Sequence, residues 1–133
     1  MAERGESHET LSAVHFAKLA DSLGDAVHEV IAEFHALAVT GALEIERASA
    51  AADHDVARGA AHRLRGSSMT LGVERLRDIS AKIERDAAAG EDISCELIEA
   101  LRQEIAAARD AMLVAAPAAG RPDPTGPPAS SAA

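Results

Sequence analysis

The sequence predicts an all-α protein, an antiparallel four-helix bundle with a short additional N-terminal helix. Three observations predict it. All five prolines lie at Pro117 or beyond, so nothing between residues 9 and 116 forbids long helices. Ala fills 32 of the 133 positions, against two Phe and no Trp or Tyr. Such a core must come from small and aliphatic side chains on closely packed helices. Apolar residues also recur at three- and four-residue spacing, and no segment alternates with the period of two that a strand requires.

Each element follows in order. Leu11, Val14, Phe16, Leu19 and Leu23 make a short first helix, which Gly24 ends. From Asp25 to about Ala50, Val27, Val30, Ile31, Phe34, Leu37, Ala38 and Ile45 mark a long second helix. Asp53 is placed to cap a third helix that runs to Leu71, with Gly72 just past its end. A fourth holds Val73, Leu76, Ile79 and Ile83 and stops before Gly90. Asp92 or Ser94 can cap the last, whose inner side carries Ile93, Leu97, Ile98, Leu101, Ile105 and Met112. Short turns between neighbours favour the antiparallel arrangement. Residues 1–8 are expected to be mobile. Residues 117–133, Pro- and Ala-rich and without Leu, Ile, Val or Phe, are expected to form a disordered tail.

The charge balance narrows the partners. With 22 acidic and 13 basic side chains the chain carries a net charge of −9, which repels phosphate backbones and argues against nucleic acid. One Cys cannot form an internal disulfide framework and fits a reducing compartment. Cys95 reads as a packing residue. No apolar run follows the charged N-terminus, and no stretch of about 18 uncharged apolar residues occurs, so neither a signal peptide nor a membrane span is expected. The expectation is a cytoplasmic monomer.

The third helix holds the chemistry. On a wheel of about 100° per residue, Val56, Ala57, Ala60, Leu64, Ser67, Ser68 and Leu71 fall opposite His62 and form the core face. Asp55, Arg58, Gly59, Arg65, Gly66 and Met69 gather around His62 on the solvent face. Two glycines there are informative. Each costs about 1 kcal/mol relative to Ala in a helix interior, and this chain uses Ala freely. Their effect is to clear side chains from around an exposed imidazole, so that another macromolecule can approach it. An ordinary surface histidine is the alternative that the wheel leaves open.

The run Ala60-Ala61-His62-Arg63-Leu64-Arg65-Gly66-Ser67-Ser68-Met69-Thr70-Leu71-Gly72-Val73-Glu74-Arg75-Leu76 resembles the signature of histidine-containing phosphotransfer (HPt) domains. That signature reads Ala-His-x-Leu-Lys-Gly-Ser, with Gly about six residues on and a later Leu/Ile-Glu, here Ile83-Glu84. Phe16-x-x-Leu19, Leu23-Gly24-Asp25 and the region of Phe34 are similar to the family's first two helices. The likeness covers about residues 11–113, within an HPt-like bundle over 9–116. It implies a phosphorelay intermediate without ATP-dependent kinase activity. His62 would take a phosphoryl group from a receiver-domain aspartate and pass it to another response-regulator receiver. A hybrid sensor histidine kinase would stand upstream. By position, Arg65 would offset the phosphoryl charge, Gly66 would give the partner room and Ser67 would help pin the helix. Glu84 would hold the second ring nitrogen, while Arg58, Gly59 and Met69 would contact the partner. One departure stands out. The family's usual Lys is Arg65, a planar fork in place of a point charge. The resemblance implies no resident cofactor, with Mg²⁺ expected on the receiver. The same face could instead dock a kinase or receiver without transfer.

Other sites read as empty of chemistry. His28 and His35 are seven residues apart, about 10 Å along a helix, too far for two ligands of one zinc; no metal site is expected. No glycine-rich phosphate loop or nucleotide lid is present. Residues 58–85 hold seven basic and three acidic side chains, a net of +4, leaving −13 for the rest. That basic stretch around His62 would steer an acidic partner.

Overall fold

The structure, a computed structural model, describes residues 9–117. The expectations for residues 1–8 and for the tail beyond Pro117 lie outside them. Five α-helices follow one another: α1 (Ala13–Leu23), α2 (Val27–Ala50), α3 (His54–Leu71), α4 (Glu74–Ala88) and α5 (Cys95–Ala115). Among the described residues there is no strand. The all-α bundle with a short extra helix at its N-terminal end is therefore what forms.

Local chemistry sets the helix ends. Ser12, Asp53 and Ser94 each accept a backbone N–H three residues on, capping α1, α3 and α5. Of the two residues proposed to cap the last helix, Ser94 does so, while Asp92 instead lies 3.7 Å from His54. Gly24–Ala26 form one 3₁₀ turn, so α2 starts at Val27 rather than at Asp25. Val73 precedes α4 in extended conformation and is not part of it. The α2–α3 turn places Ala52 at φ 55°, a left-handed conformation that no glycine marks. It is held by the N–H of Asp53 donating to Ala48 O at 2.8 Å. Cys95 is exposed at the start of α5, which corrects the packing role expected of it.

α3 packs on α2 and α4, and α5 on the same two helices, so α2, α3, α4 and α5 form a closed ring of neighbours. α1 lies across one end and contacts α3 and α5. Phe16, Ile31, Ile45, Leu76, Ile83, Leu101 and Met112 fill the centre. Nine buried alanines lie among these large residues, including Ala38, Ala60, Ala61 and Ala108, and they let the helix axes come close. Burying each large apolar side chain stabilises the fold by about 1.5–3 kcal/mol, so this core needs no large aromatic layer. The helical stretch Ala13–Ala50 is long and apolar enough, by length and composition, to cross a membrane. In this fold α2 is a core helix, with Val27, Ile31, Phe34, Ala38, Ala42, Ile45 and Ala48 buried.

The N-terminal segment straps the α3–α4 turn. Ser12 N–H donates to Gly72 O at 2.8 Å, and Glu74 N–H to Thr10 O at 3.0 Å. The His15 ring meets Thr70 O through Nε2 at 2.8 Å. Gly72 ends α3 in the left-handed conformation at φ 77°, tight against the same His15 ring.

Candidate functional site

His62 stands in the middle of α3, a helix whose two ends are fixed by Asp53 and Gly72. Its side chain is 62% exposed, as the wheel requires. The core face, though, is turned about a third of a right angle from the expected one. Ala61 is buried and Val56 is exposed. The reason is the close packing of α3 on α4, which takes Ala61 into the interface and moves Val56 to the rim. The same rotation brings His62 over α4.

There it meets Glu84. Nδ1 of His62 lies 2.8 Å from Oε2 of Glu84, whose side chain is 21% exposed. The other carboxylate oxygen, Oε1, lies 2.9 Å from Nε of Arg65. One carboxylate thus bridges the imidazole and the guanidinium. A carboxylate only accepts, so the proton of the neutral ring sits on Nδ1 and donates to Glu84. Nε2 then carries the free lone pair, on the side of the ring away from α4. Arg65 Nη2 also approaches Nδ1 at 3.4 Å. Because Nδ1 is already the donor to Glu84, that approach is a contact rather than a hydrogen bond.

The surroundings of the ring are open. A Cβ built on Gly66 would meet nothing within 4 Å, and one on Gly59 only Arg63 Nη1 at 3.6 Å. Neither glycine is demanded by packing within the chain. Arg58 and Met69 are both exposed on the His62 side of α3. Met69 also lines a small cavity of about 170 Å³ with Ser12 and His15, so it sits nearest the α1 strap.

Ser67 is half-buried and lies on the other flank, in a groove of about 290 Å³ between α2 and α3. The hydroxyls that bond the helix backbone here belong to Ser68, which is buried and donates to Leu64 O at 2.8 Å, and to Thr70, which donates to Gly66 O at 3.2 Å. The groove brings in Gly41 and Glu44 of α2, which the sequence pattern left unmarked, and Leu37, expected on the apolar face of that helix but exposed here; Arg63 donates to Glu44 at 3.1 Å. The run Leu37-Ala38-Val39 held a signal. Three successive apolar residues cannot all face the core of one helix, and here Ala38 is buried while both neighbours are exposed.

The basic stretch is partly neutralised. Arg63 pairs with Glu44, Arg65 with Glu84, Arg77 with Asp78 and Lys82 with Asp86. Glu44 and Asp86 lie outside residues 58–85 in sequence, so the +4 counted there falls by two in space. Among the described residues no three His, Cys, Asp or Glu side chains come together as a metal group. His28 Nε2 instead meets Pro117 O at 3.0 Å.

Comparison with known proteins bears on most of the chain. The family model described as "Hpt domain" matches residues 10–111. No curated protein matches the sequence. Among solved structures, the crystal structure of histidine-containing phosphotransfer protein B (HptB) from Pseudomonas aeruginosa PAO1 is similar. Its TM-score is 0.75 at 24% identity, over 81% of this chain and 95% of that one. At that identity the likeness speaks for the helical fold.

Proposed function

The chain belongs to the Hpt domain family, and from that premise we propose that it is a phosphorelay intermediate whose phosphoacceptor is His62. Family membership carries a phosphotransfer role in two-component signalling. The finer reading is that His62 accepts a phosphoryl group from a receiver-domain aspartate and returns it to the aspartate of another response regulator. A hybrid sensor histidine kinase supplies the first receiver, and the relay operates in the cytoplasm. The observation that supports it best is the Glu84 carboxylate on Nδ1 at 2.8 Å beneath an exposed, glycine-flanked ring.

The chemistry follows from that geometry. Nε2 attacks phosphorus in line as the bond to the aspartyl oxygen breaks, and the carboxylate leaves on the receiver. The Nδ1 proton stays where it is. The ring therefore becomes imidazolium-like, and Glu84 offsets its charge. Arg65, ion-paired with Glu84 at 2.9 Å and beside the ring, offsets the charge of the phosphoryl group. A Mg²⁺ ion belonging to the receiver would neutralise charge on the leaving side. Gly59 and Gly66 admit the receiver's loops, Arg58 and Met69 border them, and Ser67 stands at the rim of the neighbouring groove. The chain contributes the nucleophile and its orientation but no nucleotide chemistry.

The test is direct. Incubated with phosphorylated receiver domains and Mg²⁺, the full chain is expected to acquire an acid-labile, alkali-stable label. A chain that stays unlabelled against a broad panel of phosphorylated receivers contradicts the reading.

Two variants probe its parts. Glu84→Ala frees the ring and removes the Nδ1 acceptor, so transfer is expected to slow by about 10- to 100-fold, the usual effect of losing such an orienting partner. Glu84→Gln keeps an acceptor without the charge and is expected to fall between. Equal rates for all three forms would remove Glu84 from the mechanism. Gly66→Ala is expected to raise stability by about 0.5–1 kcal/mol, because the methyl meets no atom of the chain. It is expected to slow transfer from a receiver all the same. Thermal melts and labelling rates on one preparation read both effects.

A further inference from the structure

α2 carries more apolar surface than the bundle core uses. Within the helical stretch that includes it, the 18-residue window apolar enough to cross a membrane is only 28% buried. Beside its core row runs a second row on the solvent side, Ala32, Ala36, Val39 and Leu43, spaced four, three and four residues apart. Val39 is 41% and Leu43 45% exposed. Such spacing keeps a row on one face of a helix and is the spacing by which helices pack along each other. The row adjoins an apolar groove of about 350 Å³ between α2 and α5, walled on the far side by Ile105 and Ala106.

The order of residues in the row says what covers it. Small side chains occupy its first half and large ones its second. Glu29 lies one turn before it and Arg47 one turn after; both are exposed, and neither forms an ion pair with another described residue. An antiparallel copy of α2, related by a two-fold axis near Ala38, satisfies every position. Leu43 then meets Ala32, Val39 meets Ala36, and Glu29 meets Arg47 at both ends. A row built for an unrelated helix has no reason to be complementary to its own reverse.

We propose that the outer row of α2 is a homodimer interface, in which a second copy packs antiparallel across a two-fold axis. The cyclic order of the helices puts the α2–α5 edge diagonally opposite the α3–α4 edge that carries His62 and Glu84. Both copies therefore keep His62 free, and the dimer stands apart from the phosphotransfer reading. A single helix pair with α5 at its rim is at the small end of stable interfaces, so the dimer is weak, with a dissociation constant on the order of tens of micromolar.

Sedimentation equilibrium of the full chain tests it. The average mass is expected to rise from one copy to two between about 5 and 500 µM, by mass action. Leu43→Glu, at an exposed position, is expected to melt like the wild type and to stay a single copy throughout. Glu29→Arg is expected to weaken association at least about tenfold, and adding Arg47→Glu to the same chain to restore it. A single-copy mass for the wild type at every concentration overturns the proposal, as does association that Leu43→Glu and Glu29→Arg leave unchanged. His62 labelling of Leu43→Glu by a phosphorylated receiver is expected to match the wild type. A loss of labelling there would assign the row to the receiver and overturn the dimer.

Discussion

His62→Gln is expected to fold with an unchanged melting temperature and to take no label at all from a phosphorylated receiver. The fold should not notice, because the side chain is 62% exposed and its one hydrogen-bond partner, the Glu84 carboxylate, keeps its ion pair with Arg65. Surface changes away from caps and cores stay within about 0.5 kcal/mol. The chemistry should vanish, because the amide nitrogen of Gln carries no available lone pair. Three of the other described histidines are already engaged. His15 is engaged with Thr70 O and His28 with Pro117 O, and His54 lies 3.7 Å from Asp92. Labelling that persists in His62→Gln places the acceptor elsewhere. Intact signalling output from the same variant would instead favour docking without transfer.

Gly72→Ala is expected to give the largest loss of stability of any single methyl added to the bundle, about 2–4 kcal/mol. Two terms combine. An L-residue held at φ 77° costs about 1–2 kcal/mol. The new Cβ would also lie 2.8 Å from His15 Cδ2, closer than carbon atoms approach. The ring must then move and give up its 2.8 Å bond to Thr70 O, worth about 0.5–1.5 kcal/mol. For a domain of this size that lowers the melting temperature by roughly 10–20 °C. Removing the ring separates the terms. In a His15→Ala background, Gly72→Ala should cost only its backbone part, so the two changes should be strongly non-additive. Additive effects would show that the ring and the glycine do not share the strain.

Much of this molecule could be read in one dimension. The caps at Asp53 and Gly72 are local chemistry, and the exposure of His62 follows from counting around one helix. What sequence could not show is whatever depends on how one helix is turned against the next. The shift that buries Ala61 and exposes Val56 comes from α4, which no wheel of α3 contains. Glu84 was nameable only through resemblance. That its two oxygens serve His62 and Arg65 at once depends on the α3–α4 register. The basic stretch carries less net charge than its sequence count for a related reason. Its charge was summed along the chain, whereas Glu44 reaches Arg63 from a different helix. Arg65 in place of Lys also acquires a meaning in space, since a guanidinium can lie against Glu84 with one nitrogen and against the His62 ring with another.

The strap from Thr10 to His15 has a consequence for how the chain assembles and breathes. It joins residues about 60 apart in sequence, which the folding of α2 and α3 brings together. Three backbone and ring hydrogen bonds, the burial of Leu11, Phe16 and Ala20, and the packing of Leu19 and Leu23 hold it in place. The hairpins α2–α3 and α3–α4 close over a few residues each and form early. Helix α1, which buries the fewest residues of the five helices, is expected to dock last and to detach first. Its amides should exchange with solvent by a partial opening that leaves the other four helices, and the His62–Glu84 pair with them, closed.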